Sequence, residues 1–140
     1  MKNLKLQAND DTLYTVLDAI EAHLDENDCP NDVKTRILIA VEEIYVNIAH
    51  YAYGGNEGEA QVQMDVSQDP RCCQVVFRDK GIPYNPLEKE DPDISLSAGE
   101  REIGGLGIYM VKQYMDKVEY RYEEGYNILT IEKRLDKADA

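Results

Sequence analysis

Apolar residues recur along the chain at two periods, one suited to strands and one to helices. Residues 2–7 place Leu4 and Leu6 on one side of an extended segment, which predicts a short strand. Asp10, Asp11 and Thr12 then offer N-cap chemistry, and Leu13, Val16, Leu17, Ile20 and Leu24 follow at helical spacing, predicting a helix to about Asp25. The polar stretch 25–32 breaks that helix. Asn31 or Asp32 is the expected cap of a second one, whose stripe is Val33, Ile37, Val41, Ile44 and Ile48. Tyr53-Gly54-Gly55-Asn56 should end it. Ala60, Val62, Met64 and Val66 alternate as a half-buried strand, residues 68–71 turn, and Cys73, Val75 and Phe77 form the next strand, which stops at Asp79-Lys80-Gly81.

Residues 82–103 hold three of the five prolines, many charges and few apolar positions, which predicts a long surface loop of the kind that serves as a lid. Gly104-Gly105-Leu106-Gly107 opens a short helix carrying Ile108, Met110, Val111 and Met115. Val118, Tyr120 and Tyr122 alternate, Glu124-Gly125 turns, and Ile128, Leu129 and Ile131 make the last strand before a polar tail, 133–140. Short turns favour antiparallel neighbours, and the helices must cover one face to build a core. The expected class is α+β, a two-layer sandwich of a mixed, mostly antiparallel β-sheet with helices on one face, in a single domain over residues 1–140.

Composition narrows the class of partner. The 140 residues carry a formal net charge of −13, which excludes a nucleic-acid backbone or an anionic membrane surface as the natural ligand. It suits a self-repelling surface or an acidic face for a basic protein. There is no Trp and one Phe against ten Tyr, so tyrosines supply most of the aromatic packing and their hydroxyls need partners. Cys29, Cys72 and Cys73 are odd in number and have no CxxC spacing, which points to reduced thiols rather than a disulfide framework or a zinc site. The first ten residues lack the apolar core of a signal peptide and no apolar run is of membrane-spanning length, so a cytoplasmic protein is expected.

Three features carry candidate chemistry. Glu43 and Asn47, four residues apart, share one side of the second helix at the border between its apolar stripe and solvent. A carboxylate there can take a proton, and an amide oxygen suits Mg²⁺. Asp79, at a strand end, can accept a hydrogen bond from an exocyclic amine such as that of adenine, and Gly81 lets a flat ring approach the backbone. Gly104, Gly105 and Gly107 precede or open a helix whose free N–H groups can receive phosphate oxygens. Each feature alone has an ordinary explanation: surface polar residues, a strand-ending turn, a flexible helix entry. Neither GxxxxGK[ST] nor a GxGxxG after a strand is present.

The stretches ILIAVEEIYVNIAHYAY, FRDKGIPYNPLE, GGLGIYMVKQYMDKVEY and NILTIEK together resemble the GHKL superfamily of histidine-kinase-like ATPases, and within it the anti-sigma-factor serine kinases. The resemblance runs from the second helix to the last strand. It implies Glu43 as general base, Asn47 as magnesium ligand, Asp79 as the adenine-binding carboxylate with Gly81 beside the ring, and Gly104, Gly105 and Gly107 as phosphate-contacting glycines. Thr130 falls where family members often place a threonine near adenine, and Arg101 is the candidate lid arginine for the terminal phosphate. The family's His-Ala-Tyr is Tyr51-Ala52-Tyr53 here, with His50 one place earlier, which is read as a packing or surface residue. The implied activity is that of an ATP–Mg-dependent protein-serine/threonine kinase that phosphorylates an antagonist protein and sequesters a sigma factor, as a homodimer. The rival reading is an ATP-binding switch that transfers no phosphate. A histidine kinase would call for a dimerising helix with a phospho-acceptor His ahead of the domain, and a gyrase-type ATPase for a further domain with a catalytic lysine. Neither is expected.

Overall fold

The computed structural model describes residues 2–54, 56, 58–88 and 105–135, with the backbone alone at 105 and 106. Strand β1, Lys2–Gln7, leads into helix α1, Asp10–Glu26, and helix α2, Asn31–Asn47. A π-helical turn, Ile48–Ala52, extends α2. Strands β2, Glu59–Gln68, and β3, Arg71–Asp79, follow as a hairpin, then a short 3₁₀ turn at Pro86–Glu88. Helix α3, Gly105–Tyr114, and the hairpin of β4, Lys117–Glu123, and β5, Tyr126–Arg134, complete the order.

The helix starts differ from those read in the sequence. Asn9, not Asp10 to Thr12, caps α1: its backbone is extended, its Oδ1 accepts from the Thr12 amide at 2.9 Å, and the Thr12 hydroxyl accepts from the Asn9 amide at 3.2 Å. That closes a capping box and leaves Asp10 and Asp11 in the first turn, where the helix dipole favours carboxylates. Helix α2 has no side-chain cap. Pro30, with φ of −58°, sets the entry, and Asn31 and Asp32 lie already inside the first turn. The expected stop near Tyr53 holds, but the chain reaches it through a wider turn after Asn47.

The five strands stand in the order β1-β2-β3-β5-β4. All four pairings are antiparallel, so the mixed sheet expected from the sequence has no parallel pair among the described strands. Strand β5 inserts between β3 and β4, which follows from the β4–β5 hairpin folding back onto β3 after α3. The two-layer α+β architecture is as expected. One face of the sheet, with Val62, Met64, Val75, Phe77 and Ile131, packs beneath the stripes of α1 and α2, with Val16, Ile20, Ile37, Val41 and Ile44 fully enclosed. The other face is polar: the side chains of Gln61 and Asn3, of Arg78 and Gln63, and of Gln74 and Glu132 pair across strands. Tyr45 is wholly buried in the helix layer, and its hydroxyl lies 2.6 Å from that of Thr12, so the capping box of α1 also satisfies the polar tip of a core tyrosine.

Candidate functional site

Beyond the C-terminal end of β3 the helix layer and the sheet part. The gap is a cavity of about 620 Å³. Asn47 closes it from the end of α2, Tyr51 and Ala52 from the π-helical turn, Ile108 from the first turns of α3, and Phe77, Asp79, Tyr120, Asn127 and Leu129 from the sheet. Ile82, Pro83, Tyr84 and Pro86 form one wall, and three large side chains of the lining, Tyr51, Ile82 and Tyr84, are left more than half exposed. Apolar walls with a few convergent polar groups are what a flat heterocycle needs.

Asp79 is buried, and one of its oxygens, Oδ1, accepts from the Gly81 amide and from Asn127 Nδ2, each at 2.9 Å. Among the described residues nothing bonds Oδ2, which leaves a fixed acceptor in an apolar slot. Asn127 faces Asp79 directly in the β3–β5 register. Its Nδ2 also reaches the carbonyl of Ile82 at 3.0 Å, and its Oδ1 accepts from the Tyr84 amide at 3.2 Å and from the Tyr120 hydroxyl.

Gly81 does not line the cavity. A Cβ there would stand 2.2 Å from the Ala52 carbonyl oxygen, and the next residue, Ile82, donates its amide to that same oxygen at 2.8 Å. The missing side chain therefore lets the π-helical turn dock on the end of β3, not a ring on the backbone.

Glu43 sits one turn before Asn47, half-buried, and lies outside the cavity lining. Its Oε2 rests against Gly107, where a Cβ would come within 2.2 Å of it. Burial pushes the Glu43 carboxyl above its ordinary value of 4.5, and the neighbouring Glu42 adds to the rise. Gly107 thus makes room for a carboxylate between α2 and α3. Gly105 is the first residue of α3. Gly104, Arg101 and residues 89–103 of the expected lid lie outside the described residues.

Thr130 is misplaced by the sequence reading. It pairs with Val76, one residue out of phase with Asp79, Asn127 and Leu129, and so belongs to the opposite face of the sheet. The β5 residue opposite Asp79 is Asn127. The period-two rule already placed 127 with Leu129 and Ile131 on the core face, where an amide is unexpected, and that was the signal available. His50 is exposed, as expected, and its Nε2 lies 2.7 Å from Asp10 Oδ1. Among the described residues no three His, Cys, Asp or Glu cluster to hold a metal, and no helix is long and apolar enough to cross a membrane.

The model of the histidine kinase-like ATPase domain family matches residues 6–133. The chain belongs to this family. Among curated relatives of this histidine kinase-like ATPase domain, the serine-protein kinase RsbW of Listeria innocua is 32% identical over 99 residues, 66% of this chain and 61% of that protein. The serine/threonine-protein kinase BtrW of Bordetella bronchiseptica is 23% identical over 95 residues, 68% of this chain and 66% of that protein. The match thus spans somewhat under two thirds of these relatives' own lengths. Among solved structures, the RsbU and RsbW domains of a Mycobacterium tuberculosis protein superpose with a TM-score of 0.66 at 16% identity, over 96% of this chain and 33% of that one. The SiaB–SiaC complex of Pseudomonas aeruginosa gives 0.60 at 13% identity, over 93% and 88%. These likenesses fix the same α+β architecture.

Proposed function

We propose that the chain binds ATP with Mg²⁺ in this cavity and acts as an anti-sigma regulatory kinase, phosphorylating an antagonist protein on Ser or Thr and holding a sigma factor. The observation that carries the nucleotide is Asp79. A buried carboxylate with one oxygen tied down and the other free in an apolar slot matches the exocyclic amine of adenine. The kinase reading draws on the relatives, which are named serine-protein kinases. On this reading residues 1–140 act as one ATP-binding unit in the cytoplasm, as a homodimer, with 82–103 as its lid.

The residues present fit a metal that arrives with the nucleotide. Asn47 is the one polar side chain of α2 in the cavity lining, and one amide oxygen suits Mg²⁺, which keeps several waters and takes the rest of its shell from phosphates. When bound, the ion supplies charge neutralisation on the phosphates. Gly104, Gly105 and Gly107 would contact phosphate oxygens at the start of α3, where the first N–H groups of a helix have no partner within it. Arg101 would approach the terminal phosphate from the lid. Glu43 would take the proton of the attacking hydroxyl, and a carboxyl held above its ordinary value is a better base than a free one.

One observation favours a second reading. Glu43 packs against Gly107 and does not line the cavity, so its carboxylate could report the position of α3 without touching a substrate hydroxyl. In that case bound ATP switches partner affinity and no phosphate moves. Incubation of the wild-type chain with radiolabelled ATP and candidate antagonist proteins separates the two. The kinase reading expects label on the antagonist, and Glu43→Gln should slow transfer at least about 100-fold while ATP binding stays near normal. Full transfer by the variant would remove Glu43 as the base. ATP binding without transfer to any candidate would leave the switch.

A further inference from the structure

We propose that the Asp10–His50 pair positions the π-helical turn at the cavity, and that protonation of His50 thereby tunes how tightly the nucleotide is held. The inference rests on the adenine-nucleotide reading and adds a regulator of that site. His50 stands in the turn Ile48–Ala52, of which Ile48, Tyr51 and Ala52 line the cavity. Its Nε2 lies 2.7 Å from Asp10 Oδ1, forty residues earlier in the chain. Asp10 is the first residue of α1, where the helix dipole favours a carboxylate. The His50 ring meets that of Tyr51 edge-on, with 6.1 Å between centroids. A second tie runs alongside: the Tyr45 hydroxyl on α2 lies 2.6 Å from that of Thr12 on α1. Tyr45 is wholly buried, whereas the Asp10–His50 tie faces water and can gain or lose charge.

The strength of the outer tie depends on a proton. A neutral imidazole with its hydrogen on Nε2 donates an ordinary hydrogen bond to Asp10. The imidazolium donates a charge-assisted one, shorter and about twice as strong. Imidazole is the side chain that changes charge under mild conditions. Among the described residues, the titratable groups against His50 are Asp10 from α1 and the Tyr51 ring from its own turn, with Asp11 the next carboxylate along α1. Both carboxylates favour the cation. At its far end the turn holds the opposite wall, because the Ala52 carbonyl accepts from the Ile82 amide. A shift at His50 therefore reaches both walls of the cavity. With the tie strengthened, the ligand has less ordering left to impose, and affinity rises. The sign follows: the gain is present on the acid side and falls away as His50 loses its proton with rising pH.

Calorimetric titration of ATP with Mg²⁺, at about pH 6 and about pH 8, into wild type, Asp10→Asn, His50→Gln and the double variant tests this. At the lower pH each single variant should bind about two- to fivefold more weakly than wild type, the range of an exposed ion pair. The double variant should lose no more than either single one, because the two groups act as a pair. At the higher pH the gap should close to less than about 1.5-fold. His50→Lys, a permanent cation, should keep its lead over His50→Gln at both pH values. Ratios to His50→Gln at each pH cancel the titration of the phosphates and of Glu43, which all the proteins share. A wild-type to His50→Gln ratio that is the same at both pH values, or losses that multiply in the double variant, would overturn the proposal while leaving the nucleotide site standing. Wild type that binds no ATP at either pH would overturn the site and this inference together. Should His50→Gln not fold, His50→Asn enters the same cycle with the same expectations. Failure of both to fold would make the pair part of the fold alone and also overturn the proposal.

Discussion

Asp79 and Asn127 face each other across β3 and β5 at the cavity, both on the buried face of the sheet. Asp79 was legible because a strand that alternates Cys73, Val75, Phe77 must carry position 79 on the same buried face, and a carboxylate there asks for an explanation. Asn127 obeyed the same alternation and went unread, while Thr130 was drawn toward the cavity by likeness of residue type against the parity of its strand. Glu43 carries a conflict between stability and chemistry. Its carboxyl is raised above 4.5 by burial and by Glu42, so the folded state binds the proton more readily than the unfolded chain. The sign is then fixed: the charged form destabilises the fold, the penalty is absent below 4.5, and it grows as pH rises from there through the raised folded value. Glu43→Gln should therefore melt higher than wild type at neutral pH, the difference shrinking as the pH is lowered toward 4.5, as thermal scans across pH would record. Equal melting temperatures at neutral pH would mean that burial does not strain this carboxyl. At Asn47 the expectation concerns the metal. Asn47→Ala should abolish the stimulation of ATP binding by Mg²⁺ and keep most metal-free binding, and an undiminished magnesium effect would exclude its amide as a ligand.

Among the elements, the π-helical turn Ile48–Ala52 has the largest consequence for the site. It supplies Ile48, Tyr51 and Ala52 to the cavity and its last carbonyl to the Ile82 amide. Inserted turns of this kind often occur at functional sites. The sequence pattern gave the stripe up to Ile48 but not the change of period, because one extra residue in a turn shifts which side chains face inward without changing which residues are apolar. The helix caps were missed for a related reason. Capping depends on the backbone of one residue, and Asn9 beside Asp10 and Asp11 offers three chemically equivalent candidates. The end of β3 and the π-helical turn are locked together at Gly81, where the nearest obstacle to a side chain is backbone and cannot swing away. Gly81→Ala should cost about 1–3 kcal/mol, as overpacking does. Urea unfolding would show a lower midpoint at unchanged slope, and an unchanged midpoint would mean that the two segments are free to separate.

For the molecule as a whole, the architecture was legible because every element declares its period and one face of the sheet must be covered. Strand order was not, since hydrophobic alternation says which face of β5 is buried and nothing about which neighbours it takes. The thiols are those of Cys29, Cys72 and Cys73. All three are free, burial pushes Cys73 up to about 12, and the same cause raises Cys29 and Cys72, so none is poised as a nucleophile. The account's central claim is that the gap between the two layers is an adenine-nucleotide site read by Asp79. Calorimetry of ATP in the presence of Mg²⁺, with wild type beside Asp79→Asn, tests it most directly. Leaving a desolvated amine without its acceptor costs about 1–3 kcal/mol, so the variant should bind ATP and ADP alike up to about 100-fold more weakly. Wild-type heat with an unchanged affinity in Asp79→Asn, or no binding by wild type at all, would contradict it.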